Sequence, residues 1–274
     1  MTQPLDLEAL RAALVAPGGP YAALDVVPST GSTNADLREA ANAGAEDRTV
    51  LIAEQQTAGQ GRRARTWVSP AGSGIYLSVL LRPHEVPPNR LPGITLLAGV
   101  ALVSTVRAST GVDAVLKWPN DLLAGPERAK CAGILAESIG GGAVVLGIGL
   151  NVAALPEGVP AGAGGLPPTS LEQQGASHTD RTRLVVELLL ALAQLDARWR
   201  LAYGDPVACG LLDAYREHCA TLGLRVRVEL PGNSELLGTA VDVDREGQLV
   251  IRSDGGGQRA VHAGDVVHLR SVTG

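Results

Sequence analysis

Of 23 basic residues only two are lysine, Lys117 and Lys130; the rest are arginine. Where any cation suffices this chain carries arginine, so its lysines mark positions that need a compact ammonium rather than a planar fork. A nucleotide-composition bias is the bland alternative. Lys117 opens Lys117-Trp118-Pro119-Asn120-Asp121, which offers a cation, an amide and a carboxylate within one short turn. Such a set can hold phosphate oxygens and Mg²⁺, as adenylate-forming chemistry requires. Trp118 and Pro119 read equally well as the anchor of an ordinary turn, which does not conflict with that chemistry. Lys130 enters the apolar run Cys131-Ala132-Gly133-Ile134-Leu135. It reads either as a functional cation or as a lysine snorkelling from a strand edge.

Gly59–Trp67 carries Arg62, Arg63 and Arg65 among glycines. A solvated loop is the simple reading. Against it, glycines permit close backbone approach, arginine forks suit phosphate and carboxylate, and Trp67 offers a face for an aromatic base. Gly147-Ile148-Gly149-Leu150-Asn151 ends a strand on an amide able to read an adenine edge or a ribose hydroxyl. Core packing explains its glycines as well as ligand access does.

Commoner chemistries are disfavoured. There is no Gly-Lys pair and hence no P-loop. Gly59-Gln60-Gly61-Arg62-Arg63-Ala64 fits the dinucleotide fingerprint, but the Ser69, Pro70 and Gly72 that follow do not suit the required helix. The histidines at 84, 178, 218, 262 and 268 lack H-x-x-x-H spacing and read as surface or packing residues. Cysteines 131, 209 and 219 are odd in number and lack C-x-x-C spacing, which fits a reducing compartment, the cytoplasm. A net charge of −5 argues against nucleic acid as the main partner. No run of ~18 consecutive apolar residues suggests a membrane span, and Asp6 and Glu8 do not suit a secretory signal.

These groups need a scaffold. Helices are expected at 5–15, from a start at Thr33 with Thr33 as its cap, at 91–108, around Leu184–Trp199, and from about Pro206 to Cys219. Strands are expected at 22–27, 49–53, 75–81, 114–117, 121–124, 131–137 and 143–150, the last two joined by Gly140-Gly141-Gly142. The Pro/Gly-rich stretch 155–168 reads as a surface loop. After Gly223 short strands alternate with turns at Pro231-Gly232, Glu246-Gly247 and 255–257, which suggests a small β-barrel. The expected domains are 1–220 and 221–274.

Taken together, Ser32-Thr33-Asn34, Gln56-Thr57-Ala58-Gly59-Gln60-Gly61-Arg62-Arg63, Lys117-Trp118-Pro119-Asn120-Asp121, Lys130 with Ala132–Leu135, and Gly147-x-Gly149-x-Asn151 resemble the biotin protein ligase family in content, order and interval. The resemblance covers roughly residues 24–220, and the C-terminal β-segment resembles that family's SH3-like cap. It implies an α+β fold: a mixed-sheet catalytic domain backed by helices, class II synthetase-like, followed by a small SH3-like barrel. It implies that biotin's carboxylate attacks MgATP, pyrophosphate leaves, and a lysine of a biotin carboxyl carrier protein domain then takes biotin from biotinyl-5'-AMP.

The same resemblance assigns Ser32, Thr33, Asn34, Gln56, Gly59, Gln60, Gly61, Arg62, Lys130 and Gly133 to biotin. It assigns Arg62, Arg63, Arg65, Trp67, Lys117, Asn120, Lys130 and Asn151 to ATP and the adenylate. Lys130, Arg62, Lys117 and Asp121 are the implied catalytic set. Mg²⁺ is expected to ride on the ATP phosphates near Asp121, with no firm protein ligands. Gln60 stands where many members have arginine, Ala64 where they have glycine, and Cys131 where an aliphatic residue is common, so Cys131 is expected to pack as a small hydrophobe. Some members also repress transcription through an N-terminal winged helix. Only about 20 residues precede the first expected strand here, so DNA binding is not expected. Lipoate ligation shares the fold and the adenylate chemistry and is the alternative enzyme; a non-catalytic biotin-binding module would not need the cationic set. The expected assembly is at most a weak homodimer.

Overall fold

The computed structural model describes residues 3–15, 17–162, 165–229, 235–262 and 265–268. The expected turn at Pro231-Gly232 and the last residues of the expected second domain, 269–274, lie outside them.

Seven strands form one mixed sheet. They are β1 (Ala23–Val27), β2 (Thr49–Ala53), β3 (Gly74–Leu81), β4 (Ala114–Lys117), β5 (Asp121–Ala124), β6 (Ala129–Ser138) and β7 (Val144–Asn151), in the spatial order β1-β2-β3-β7-β6-β5-β4. Only the β1–β2 pairing is parallel; the remaining neighbours run antiparallel. The β6–β7 hairpin turns through Gly140, Gly141 and Gly142 with φ of 88, 59 and 77°, a left-handed run that a side chain resists.

Helices α1 (Leu7–Leu14), α3 (Gly93–Thr110), α4 (Arg181–Leu201) and α5 (Leu211–His218) back one sheet face. Leu146, Ile148 and Leu150 of β7 and Ile75, Leu77 and Val79 of β3 join them in one apolar core. The stretch Pro88–Thr110 is long and apolar enough to cross a membrane, with mean hydropathy 1.6. Its helical part, α3, has Leu96–Val103 all buried between sheet and α4, so that apolarity is spent on the core. On the opposite face sits α2 (Thr33–Asn42), where Leu37 and Ala41 meet Leu80 and Val145.

Two helix starts differ from expectation. The cap of α2 is Ser32, not Thr33, and its side chain makes no capping hydrogen bond. Thr33 is the first helical residue, and its hydroxyl turns to Gln56 instead. Helix α5 begins at Leu211 because Gly210, at φ 74°, breaks the helix expected from Pro206.

A second sheet, in the order β11-β10-β9-β8-β12, comprises β8 (Arg225–Glu229), β9 (Glu235–Val243), β10 (Leu249–Arg252), β11 (Gln258–Val261) and β12 (Asp265–His268). It is antiparallel throughout. It is pinned to the first sheet where Trp118 N donates to Thr221 Oγ1 at 3.0 Å and Trp118 Nε1 to Gly247 O at 3.0 Å. The anchoring tryptophan expected of that turn is thus the joint between the two sheets.

Candidate active site

Strand period two decides which side chains face α2 and the site. On β7 the residues of that face are Val145, Gly147, Gly149 and Asn151. Both glycines are there because something lies on them. A Cβ at Gly147 would sit 2.3 Å from Asn34 Oδ1, and one at Gly149 would sit 2.6 Å from Trp67 Nε1. Gly133 of β6 is likewise covered, with Trp67 Cζ3 3.3 Å from where its Cβ would be. The alternatives left open by the sequence therefore resolve: these glycines make a floor for Trp67 and Asn34 within the site.

Lys130 and Gly133 are three residues apart on β6, an odd spacing that would place them on opposite faces. A register shift in the β5–β6 pairing corrects this: Leu122 pairs with Ala132 but Leu123 with Lys130, so Cys131 is the extra residue of a β-bulge. Cys131 and Ala132 both enter the core, and Lys130 crosses to the site face, its Nζ 3.7 Å from the Cβ position of Gly133. Burial pushes the Cys131 thiol up to about 12, so it packs as a hydrophobe and is no nucleophile.

On the neighbouring hairpin Lys117 pairs directly with Asp121 across β4–β5. The Asp121 carboxylate lies 2.6 Å from Lys130 Nζ and 4.0 Å from Lys117 Nζ, with Lys117 and Asp121 both nearly sealed from solvent. The 2.6 Å contact is an ion pair without hydrogen-bond alignment. Both lysines of the chain thus converge on one carboxylate. Lys130 also lies 5.5 Å from the Trp67 ring centroid, a cation–π distance.

The peptide Trp118-Pro119 is cis, and beyond it Asn120 Nδ2 donates to Ile134 O at 2.9 Å while its Oδ1 meets Arg62 at 3.3 Å. Among the described residues no group of three His, Cys, Asp or Glu side chains could hold a metal ion. Asp121, already shared by two ammonium groups, is a poor metal ligand.

The opposite end of the cavity is neutral and polar. Gln56 Oε1 accepts from Thr33 N at 2.9 Å and lies 3.1 Å from Thr33 Oγ1, while Gln56 Nε2 donates to Ser69 Oγ at 3.2 Å. Asn34 Nδ2 donates to Glu137 Oε2 at 2.6 Å.

All of the predicted site residues except Gly59 and Arg63 line one cavity of about 510 Å³. Gly59 instead admits the chain opposite: its Cβ would lie 2.6 Å from Trp67 O. Arg63, left-handed at φ 55°, reaches Glu229 O of β8 at 3.4 Å. The glycine-rich loop is a closed hairpin, with Trp67 N donating to Gly59 O at 2.8 Å and Gly61 N to Arg65 O at 2.7 Å. One 3₁₀ turn at Arg62–Ala64 then gives way to extended chain, so no dinucleotide-type helix follows. Asn151 is buried and donates to Thr169 O at 2.9 Å.

Several contributors escaped sequence reasoning. The stretch read as a surface loop covers the site: Leu155, Val159–Gly162 and Pro168 line the cavity, and Lys130 N donates to Pro167 O at 2.8 Å. Its Pro/Gly composition announces irregular chain but not where that chain packs. Buried Ser78 joins the polar end, and its signal was a single serine inside a strand otherwise of glycine, tyrosine and aliphatic residues. From the second sheet, Val266 lines the cavity and His268 Nε2 sits 3.1 Å from Thr221 Oγ1. Burial, aided by the Lys117 charge and opposed by Asp121, lowers the His268 pKa to about 4.

The geometry agrees with comparison to known proteins. Residues 25–152 match the Biotin/lipoate A/B protein ligase family and residues 221–269 the Biotin protein ligase C terminal domain. The chain is 44% identical over 271 residues to a Biotin--[acetyl-CoA-carboxylase] ligase of Mycobacterium tuberculosis, covering 97% of each. It is 34% identical to the Bifunctional ligase/repressor BirA of Bacillus subtilis, over 85% of this chain and 69% of that one. Biotin protein ligase from Aquifex aeolicus in complex with biotin and ATP superposes with a TM-score of 0.75 at 25% identity, over 92% of this chain and all of that one. With two lysines brought to one carboxylate by a bulged strand, a glycine floor under Trp67, and a relative 44% identical along almost its whole length, this chain belongs to the biotin protein ligase family.

Proposed function

We propose that this chain activates biotin with MgATP to biotinyl-5'-AMP and transfers biotin to a lysine of a biotin carboxyl carrier protein domain. The observation that carries this reading is the convergence of Lys117 and Lys130 in one cavity with a neutral polar wall at its other end. A carboxylate oxygen of biotin attacks the α-phosphorus of ATP, the bond to the bridging oxygen breaks, and pyrophosphate leaves with the electron pair. The two reactants are both anions and repel, so bringing them to attack distance needs fixed cations in a site shielded from water. Lys130 takes the place between carboxylate and α-phosphate, and Lys117 the phosphate side. Arg62, held near Asn120, covers the phosphate from the loop. Asp121 keeps both ammonium groups aimed into the cavity before substrates arrive. In the second half-reaction the acceptor amine attacks the acyl carbon of the mixed anhydride, AMP departs, and an amide forms.

At the polar end Ser32, Thr33 and Gln56 hold the ring system, with Gln60, Gly61 and Gly133 along the tail. Trp67, Arg65 and Asn151 border the nucleotide. Arg63, directed to β8, acts by tying the loop to the second domain, and Gly59 by letting the hairpin close.

The carrier domain as acceptor rests on the name of the Mycobacterium tuberculosis relative, and a reducing, cytoplasmic setting on three free cysteines of which two are buried thiols. Domains divided at 220/221 fit the start of β8 at Arg225 and the C-terminal family match. We further propose that this chain acts without DNA or membrane partners, in keeping with its −5 charge and the burial of its most apolar helix. An adenylate-dependent footprint on its own promoter would overturn the first part. At most a weak homodimer is proposed, which sedimentation with and without biotin and ATP would reveal.

The decisive experiment is biotin-dependent ATP–pyrophosphate exchange by wild type, Lys130→Ala and Lys130→Arg, with circular dichroism to confirm folding. Losing one preorganised electrostatic contact costs roughly 10²–10³ in rate, so Lys130→Ala is expected to fall by that factor. Lys130→Arg should rescue poorly because a planar fork cannot occupy the same point. Exchange by Lys130→Ala within about threefold of wild type would reduce this lysine to a snorkelling strand residue. Lipoate in place of biotin tests the sister chemistry.

A further inference from the structure

Lys117 closes β4, the edge strand of the large sheet, and its side chain is nearly sealed from solvent. One side of its backbone pairs with Asp121 of β5. The other side is covered by residues 219–221, which link α5 to β8. Cys219 bridges Leu116 in parallel, Ala220 N donates to Leu116 O at 2.8 Å, and Trp118 N donates to Thr221 Oγ1 at 3.0 Å. The two peptide groups that flank the Lys117 Cα are therefore each held by this link, and together they fix where its Cβ points. The Asp121 carboxylate, 4.0 Å from Lys117 Nζ, is too far to fix the ammonium by a hydrogen bond. The backbone thus carries a larger share of its aim.

The bond to Leu116 O is backbone to backbone, and almost any sequence could make it. The bond from Trp118 N is different, because its acceptor is a side chain. Thr221 is fully buried, so solvent does not replace its hydroxyl, and a buried amide left without an acceptor is costly. The hydroxyl is itself braced from the second sheet, where His268 Nε2 of β12 lies 3.1 Å away. Neither Thr221 nor His268 lines the cavity. A path of two hydrogen bonds runs from the second sheet to the peptide that follows Lys117.

We propose that Thr221, braced by His268, is a positioning residue for Lys117, through which the second domain holds the phosphate end of the cavity without either residue touching the nucleotide. This rests on the adenylate-forming reading above, in which Lys117 takes the phosphate side. A joint that merely kept the two domains together would serve both substrates alike. A positioning residue for Lys117 acts on ATP and spares biotin, whose polar end is held by other elements.

The test is biotin-dependent ATP–pyrophosphate exchange by wild type, Thr221→Val and Thr221→Ser, with KM measured for each substrate. Valine keeps the shape and removes the acceptor, so KM for ATP should rise about tenfold, the loss of one buried hydrogen bond. KM for biotin should stay within about twofold, and Thr221→Ser, which still accepts from Trp118 N, should restore the KM for ATP. Arg216→Ala supplies the structural control. Arg216 ties α5 to β9 through Asp242 at 2.8 and 2.9 Å and Val243 O at 3.0 Å, away from the Lys117 backbone. It should lower Tm and leave the KM for ATP unchanged. An unchanged KM for ATP in Thr221→Val, an equal rise for both substrates, or the same rise in Arg216→Ala would overturn the proposal. Should Thr221→Val fail to fold, His268→Ala and His268→Gln decide: only the glutamine can brace the hydroxyl, and equal KM values for ATP would sink the idea. Absence of biotin-dependent exchange in the wild type would instead remove the functional reading itself, and this proposal with it.

Discussion

Gly149 is the residue at which packing and chemistry are hardest to separate, because the indole it admits lines the cavity, on the side proposed for the nucleotide. A methyl group there would meet Trp67 Nε1 at 2.6 Å, far inside van der Waals contact. The indole cannot retreat into the sheet, so Gly149→Ala is expected to lift it toward the cavity. We expect a KM for ATP raised roughly tenfold with little loss of thermal stability, since β7 keeps its ladder and its core side intact. Titration of ATP into both proteins, followed by tryptophan emission, checks this. Equal affinities would mean that Trp67 does not border the nucleotide. Lys130 makes the complementary point, since its cationic head is chosen by chemistry but its direction by the bulge at Cys131.

At the scale of elements, the glycine-rich loop is better ordered than its composition suggests. Glycines and arginines give little internal reason to hold one conformation, yet the Gln60–Thr66 bridge and the Trp67–Gly59 hydrogen bond close its base. Mobility should therefore be confined to the tip, residues 61–65, with the base held by its own ladder. Hydrogen exchange with and without biotin and ATP is expected to show gained protection at 61–65 and little change at 56–60. Uniform protection across the loop in both states would exclude a lid. Arg62→Ala should let adenylate leak, seen as AMP release in the absence of carrier protein rising several-fold while pyrophosphate exchange persists.

Across the whole molecule the two sheets are joined at the Trp118-Pro119 turn itself, through Trp118, Thr221 and His268. Burial and the nearby Lys117 charge lower the His268 pKa from 6.5 to about 4. The unfolded chain thus takes up a proton below about pH 6.5 that the folded chain refuses. The stabilisation from neutral His268 is complete above pH 6.5 and is lost as pH falls from 6.5 toward 4. Wild type should accordingly lose more Tm than His268→Gln between pH 7.5 and 4.5, by on the order of a few degrees. Glutamine can still hydrogen-bond Thr221 but does not titrate. Identical pH dependence in the two proteins would show that this histidine is not linked to folding.

The sequence by itself singled out most of the groups that the fold gathers in one cavity, and most of the scaffold that carries them. Strand periodicity, the three-glycine turn and the apolar stretch of α3 are local features, legible because they lie within short windows of the chain. The rarity of lysine singled out Lys117 and Lys130 for a related reason, because charge type is a property of the residue alone. Tertiary structure decided what depends on neighbours distant in sequence. The bulge that turns Lys130 to the site face exists only in the pairing of β5 with β6, and no pattern within 129–138 announces it. Gly147 and Gly149 look alike in sequence, yet one makes room for Asn34 and the other for Trp67. Ser78 became informative once β3 lay against α2, the Pro/Gly-rich stretch once it closed over Lys130, and His268 once the second sheet met Thr221. Outside the β5–β6 bulge, which joins neighbouring strands, the deciding quantity is a hydrogen bond or a contact between segments tens of residues apart, which composition and spacing cannot encode because the chain must fold before those atoms meet.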